Sequence, residues 1–214
     1  MTLKTLSRIA ASGLIALSAL AAQAQDITGA GASFVFPVMS KWSSEYAAAN
    51  QGRVNYQSIG SGGGIAQAKA GTIDFGSTDA PLASADLAQS KLAQFPSVVG
   101  GVVPVVNLRG ISAGQLRLTG PVIAEIYLGQ IRTWNDPQIT ALNPGLALPA
   151  TAIRVVYRSD GSGTTYNFVH YLSQISPEWK QRVGFGTAVR WPTGFGGRGN
   201  EGVSAYVKQL QGSI

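Results

Sequence analysis

The chain has 214 residues, no cysteine, one histidine, and 16 basic against 10 acidic residues, for a net charge of +6. Without cysteine there is no disulfide, no thiol nucleophile and no thiolate metal site, and one histidine excludes a His-based metal cluster. The basic residues are dispersed rather than clustered, which is not a nucleic-acid-binding pattern, although a mild basic excess favours small anions.

The N-terminus reads as an export signal. Lys4 and Arg8 precede a short apolar stretch, and Ala22-Gln23-Ala24 forms a small-x-small cleavage site. Residues 1–24 are therefore assigned as a signal peptide, and the net charge of the remainder falls to +4 without Lys4 and Arg8. The apolar core is short and interrupted by serine, glycine and glutamine, unlike a membrane span, and no later segment is long and apolar enough to cross a bilayer.

Beyond the signal, short apolar runs bounded by glycine alternate with helical patterns. "DITGAGAS" reads as strand and turn, followed from Phe36 by a helix with Met39, Trp42 and Tyr46 at helical spacing and Pro37 in its first turn. "RVNYQSIG" is a strand, and "SGGGIAQAKAG" a glycine turn into a short helix. "TIDFGSTDA" is a strand ending at Asp79, and "SADLAQSKLAQF" a helix with Ser84 as N-cap. "SVVGGVVPVVNL", residues 97–108, has the near-continuous apolar pattern of a strand buried on both faces, broken at Pro104. "TGPVIAEIYLGQI" is a helix capped near Thr119, and "NDPQITALNPGLALP" is turn-rich. "AIRVVYRSD" is a strand leading through "GSG" into a helix over 165–174, and a final loop leads into a helix from about Asn200. Trp42, Trp134, Trp179 and Trp191 are expected to pack in the core.

Strands alternating with helices predict a mostly parallel α/β architecture. In such folds ligands sit beyond the carboxyl ends of strands, beside helix N-termini. That rule selects Gly31–Phe34, Gly60–Gly64, Ser77–Asp79 and Arg158–Thr164. An oxyanion needs many donors aimed at one point. Helix starts supply unpaired N–H groups, glycine permits close approach, Ser and Thr add hydroxyls, and Arg adds a charged fork. Ser33, Ser61, Ser162 and Thr164 all lie at or near expected helix starts. Arg158 directly follows an apolar strand, and Asp160 is spaced to hold its guanidinium; the alternative is a surface ion pair worth about 0–1 kcal/mol. Asp79 would repel an anion unless that anion carries a proton for the carboxylate to accept. Hydrogenphosphate has such a proton near neutral pH and sulfate does not; the alternative is that Asp79 caps the following helix. His170 lies two turns into its helix, roughly 12 Å along the axis from Ser162, so a serine-hydrolase arrangement has no well-placed base.

The segments "ITGAGASF", "VNYQSIGSGGGIAQ", "DFGSTDAPL", "FPSVVGGVVPVVN", "IYLGQIRTWNDPQI", "RSDGSGTT" and "WPTGFGGRGNEGV" closely resemble, in order and over essentially the whole exported chain, the periplasmic phosphate-binding proteins of the PstS type. These are the substrate-binding subunits of the phosphate-specific ABC transporter. The resemblance implies a two-lobed periplasmic-binding-protein architecture of type 2, with 25–104 in the first lobe and 105–214 in the second. It implies a periplasmic binding protein rather than an enzyme, without a cofactor or metal, that closes on inorganic phosphate and delivers it to the membrane permease. A complete member is expected to be monomeric. Phosphate ligands implied by the family motifs are Ser33, Phe34 (through its amide), Ser61, Asp79, Arg158, Ser162, Gly163 and Thr164, with Asp160 orienting the arginine. The chain departs from the family pattern at Val35, where proline is frequent, and in length. Family members continue well past the position of Ile214, so the second lobe is expected to be partial. Other readings are a non-transport extracellular phosphate-binding or adhesive protein and a secreted phosphatase using Ser61 or Ser162.

Overall fold

The computed structural model describes residues 26–50 and 52–214. The expected signal peptide, 1–24, lies outside the described residues.

Among the described residues five short strands form two parallel sheets. Strands β1 (Ile27–Gly31), β2 (Val54–Ser58) and β3 (Phe75–Ser77) pair in the order β2-β1-β3, with Gly31 opposite both Ser58 and Ser77. Strands β4 (Val156–Arg158) and β5 (Phe195–Gly197) form a second parallel pair, with Arg158 opposite Gly197. The strand pairings within both sheets are parallel, as the alternation predicts, so the carboxyl ends of each sheet's strands share one edge. Helices α1 (Phe36–Ala49), α2 (Ser61–Lys69) and α3 (Ser84–Ser90) accompany the first sheet; α4 (Gly120–Leu128), α5 (Pro137–Leu142), α6 (Gly163–Ile175), α7 (Pro177–Arg182) and α8 (Gly199–Gln209) accompany the second.

The main core lies in the second half of the chain. Ile126, Trp134, Ile139, Val169, Leu172 and Trp179 are fully buried and belong to one cluster that also takes in Leu108 and Ile214. Trp134 Nε1–H donates to the Gly212 carbonyl at 2.9 Å, fastening the end of the chain to this core. Trp191 is only partly buried but stacks on Tyr157, with centroids 4.9 Å apart and planes 13° from parallel, and so packs beneath β4. The first sheet buries mainly small residues, Ala30, Ala32 and Val35, and borders an apolar groove of about 740 Å3 lined by Met39, Ile65, Phe75, Leu82 and Phe95.

Several expectations need correction. Residues 97–108 do not form a strand: Val99 is 99% and Val103 71% exposed, because no described strand runs beside them to supply a ladder. Only the end of this run is tied down, where Asn107 N–H donates to Ser213 O at 3.0 Å and Gly212 N–H to Asn107 O at 2.7 Å. Ser84 is the first residue of α3 rather than its cap; Ala83 holds the cap position, and no side chain bonds the helix end. Trp42 is 43% exposed, since α1 buries no residue. Within the turn-rich segment Asp136 caps the short helix α5 by accepting from Gln138 N–H. Helix α7, capped by the Ser176 hydroxyl, and strand β5 are too short for periodicity to reveal.

Candidate functional site: hydroxyl clusters around Arg158 and Asp79

The four selected segments meet. Each lies at the carboxyl end of a parallel strand: Ala32–Phe34 after β1, Gly60–Ser61 after β2, Thr78–Asp79 after β3 and Ser159–Thr164 after β4. Two hydrogen-bonded groups result.

The first is built on Asp79. Its Oδ1 accepts the Ser61 hydroxyl at 2.7 Å and its Oδ2 accepts the Thr164 hydroxyl at 3.1 Å. Ser61, 1% exposed at the start of α2, also accepts the Gly163 N–H at 3.1 Å. Asp79 therefore does not cap a helix, since α3 begins at Ser84 and the carboxylate instead spans the starts of α2 and α6. Asn167 supports it from one turn into α6, donating to the Asp79 carbonyl at 2.7 Å and the Gly163 carbonyl at 3.0 Å. A Cβ on Gly163 would collide with Asp79 Oδ1 and lie 2.8 Å from Ser61 Oγ. Glycine is thus required here for space.

The second group is built on Arg158, 8% exposed at the end of β4. Its Nε donates to Asp160 Oδ1 at 2.7 Å, its Nη2 donates to Asp160 Oδ2, and its Nη1 donates to Asn200 Oδ1 at 2.7 Å. Gly199 N–H donates to Asp160 Oδ1 at 3.0 Å. Burial alone would raise the Asp160 carboxyl; the Arg158 hydrogen bonds, the Gly199 N–H and the guanidinium charge outweigh it and hold the group below the ordinary carboxylate value. With side chains 6% and 14% exposed, this is not the surface ion pair of the alternative reading. The Ser33 hydroxyl joins the group by accepting Asn200 N–H at 3.2 Å.

The two groups touch through glycine backbones. Gly62 N–H donates to the Gly161 carbonyl at 2.9 Å, and Gly60 has φ +84°, a conformation that side chains disfavour. A Cβ at Gly60 would strike Asp160 and lie 2.7 Å from the Gly161 carbonyl.

Of the expected ligands, Ser61, Asp79, Gly163 and Thr164 form one hydrogen-bonded set, and Arg158, Asp160 and Ser33 another. The Ser162 hydroxyl, 1% exposed, accepts Thr165 N–H at 3.1 Å as the N-cap of α6, which leaves its own proton to donate. The Phe34 ring lines the apolar groove, so only its main chain remains for a ligand. Asn167 and Asn200 were not anticipated. Among the described residues no group of three or more His, Cys, Asp or Glu could hold a metal ion. His170 stacks on Tyr166 and meets Phe185 edge-on, on α6, while the Ser61 and Ser162 hydroxyls bond Asp79, Gly163 and Thr165.

Comparison with known proteins gives the chain's relatives. The chain is 64% identical over 188 residues to a "Phosphate-binding protein PstS" from Xylella fastidiosa, covering 88% of this chain and 52% of that protein. It is 58% identical over 201 residues to the protein of the same name from Pasteurella multocida, covering 94% and 58%. The chain thus spans little more than half the length of these relatives. Among solved structures, a putative phosphate ABC transporter substrate-binding protein from Clostridium perfringens, with bound phosphate, shares the fold. Its TM-score is 0.64 at 20% identity, over 88% of this chain and 68% of that one. A phosphate-binding protein from Stenotrophomonas maltophilia gives a TM-score of 0.59 at 17% identity, over 88% and 58%. A family model described as a PBP superfamily domain matches residues 18–214, and the chain belongs to the PBP superfamily.

Proposed function

We propose that this chain binds inorganic phosphate as hydrogenphosphate outside the cytoplasm and serves delivery to the permease of a phosphate ABC importer. Residues 25–104 and 105–214 act as two lobes, and the ligand sits where their hydroxyl-bearing ends face each other. Arg158 supplies the charge and Asp160 orients it. Ser33, Ser61, Ser162 and Thr164 supply hydroxyls, and Phe34 and Gly163 supply main-chain N–H groups. The chain works as a binding protein and not as an enzyme.

The observation that carries this reading is the position of Asp79. A carboxylate between two hydroxyls at the starts of two helices suits a tetrahedral anion that still bears a proton. Phosphate would take over the Ser61 and Thr164 hydroxyls as donors and give its own O–H to Asp79. Names of the relatives, all phosphate-binding proteins, support the same ligand. Export fits the N-terminal signal read from the sequence, and among the described residues no helix is long and apolar enough to cross a membrane.

Calorimetry on the purified chain tests this. Phosphate is expected to give a saturable one-to-one binding heat and sulfate at equal concentration none. Equal responses to the two anions would overturn the reading.

A further inference from the structure

Arg158 has five N–H donors. Asp160 takes one on Nε and one on Nη2, and Asn200 takes one on Nη1. Among the described residues two are left without a partner, one on each terminal nitrogen, which is the set a bidentate grip on an oxyanion uses. Asn200 is the only one of these two holders that is neutral. Counting Arg158 as +1 and Asp160 and Asp79 as −1 each, these three groups carry a formal −1 before any ligand arrives. A second carboxylate on the guanidinium would make it −2 and oppose an anion further.

Asn200 also acts through its backbone. It lies in the first turn of α8, and its N–H donates to the Ser33 hydroxyl at 3.2 Å, joining residues 167 positions apart. A hydroxyl that accepts from a fixed N–H has its own proton left to direct elsewhere. One residue therefore holds the arginine's third edge and leaves the Ser33 hydroxyl proton free to donate.

We infer that Asn200 is a positioning residue for anion binding, fixing the Arg158 fork and the Ser33 hydroxyl while adding no negative charge. This rests on the phosphate reading above. The side-chain half of the role is open to substitution, since the backbone N–H survives any replacement but proline.

The test compares Asn200→Ala and Asn200→Asp with wild type, all as the 214-residue chain, by phosphate calorimetry and by ligand-free thermal unfolding. Asn200→Ala is expected to weaken phosphate binding by about tenfold, the scale of a lost hydrogen bond to a charged group. Asn200→Asp is expected to weaken it more than Asn200→Ala, although aspartate has the shape of asparagine and keeps an acceptor oxygen. A packing role predicts the reverse order, with aspartate the milder change, so the ranking separates positioning from structure. Ligand-free unfolding within about 2 °C of wild type for either variant shows that the loss is not misfolding, and one folded variant suffices for the comparison with wild type. Wild-type binding with Asn200→Ala within twofold of it, or with Asn200→Asp milder than Asn200→Ala, overturns this inference and leaves the phosphate reading intact. Absence of phosphate binding by wild type overturns both.

Discussion

Thr164 Oγ1 donates to Asp79 Oδ2 at 3.1 Å across 85 residues of sequence, joining the first turn of α6 to the end of the first sheet. With Ser61 on the other oxygen, Asp79 has two hydroxyls whose protons a ligand could claim. Replacing Asp79 by Asn removes the anionic acceptor and substitutes an amide that can donate. The phosphate-to-sulfate affinity ratio, measured by calorimetry, should fall by at least about 100-fold, because a site built to hydrogen-bond a ligand hydroxyl can reject the analogue lacking it by about 10⁴–10⁵. An unchanged ratio would show that Asp79 does not read the proton.

The Arg158–Asp160 pair has a consequence for stability against pH. Asp160 is held below its ordinary value of 3.8, so its pairing contributes stability that is present above that value and is lost as pH falls through the lower folded-state value. Asp160→Asn should therefore unfold at a lower temperature than wild type at pH 5–7, with the difference shrinking below about pH 4 as the wild-type carboxylate protonates. Thermal unfolding monitored by circular dichroism over pH 3–7 checks this. A difference that grows towards low pH would contradict the pairing.

Gly163 and Gly71 offer a matched pair of alanine substitutions. At Gly163 the added Cβ meets Asp79 and Ser61, so Gly163→Ala should displace the carboxylate and weaken phosphate binding by at least about tenfold. At Gly71, φ is +67° with nothing within 4 Å of the added carbon, so the cost is backbone strain alone. Gly71→Ala should lower stability by about 1–2 kcal/mol with phosphate affinity unchanged. Calorimetry and denaturant unfolding on both proteins separate the two effects.

Much of this site was legible in the sequence because its parts are local. A strand, a glycine and a hydroxyl at a helix start occupy consecutive residues, and the parallel α/β rule says which strand ends carry ligands. Arg158 and Asp160 lie two residues apart, so their pairing could be read directly. Asn200 and Asn167 were not legible. They reach Arg158 and Asp79 over 42 and 88 residues, and an asparagine after "GGRG" looks like any turn residue. Residues 97–108 misled for a different reason. An apolar run says that a segment is suited to a ladder, but a strand exists only where a neighbour supplies the other half of each hydrogen bond. Strand β5 escaped because Phe195–Gly197 has two glycines in three residues, and only its pairing with β4 makes it a strand.

Trp134 tests how the end of the chain is held. It is fully buried, and its Nε1–H satisfies the Gly212 carbonyl. Trp134→Phe keeps most of the apolar volume and removes the donor, and should cost about 1–3 kcal/mol in denaturant unfolding. Trp134→Ala adds a cavity and should cost about 3–5 kcal/mol. Equal costs for the two would show that the hydrogen bond carries nothing beyond packing.

The most direct test of phosphate recognition at this site is a calorimetric titration of phosphate and sulfate into the wild-type chain and into Arg158→Ala. The account predicts saturable one-to-one binding of phosphate to wild type, no measurable sulfate binding, and loss of at least about 100-fold in phosphate affinity in the variant, which loses a buried bidentate charge. Phosphate binding to Arg158→Ala with wild-type affinity, or equal binding of both anions to wild type, would contradict it.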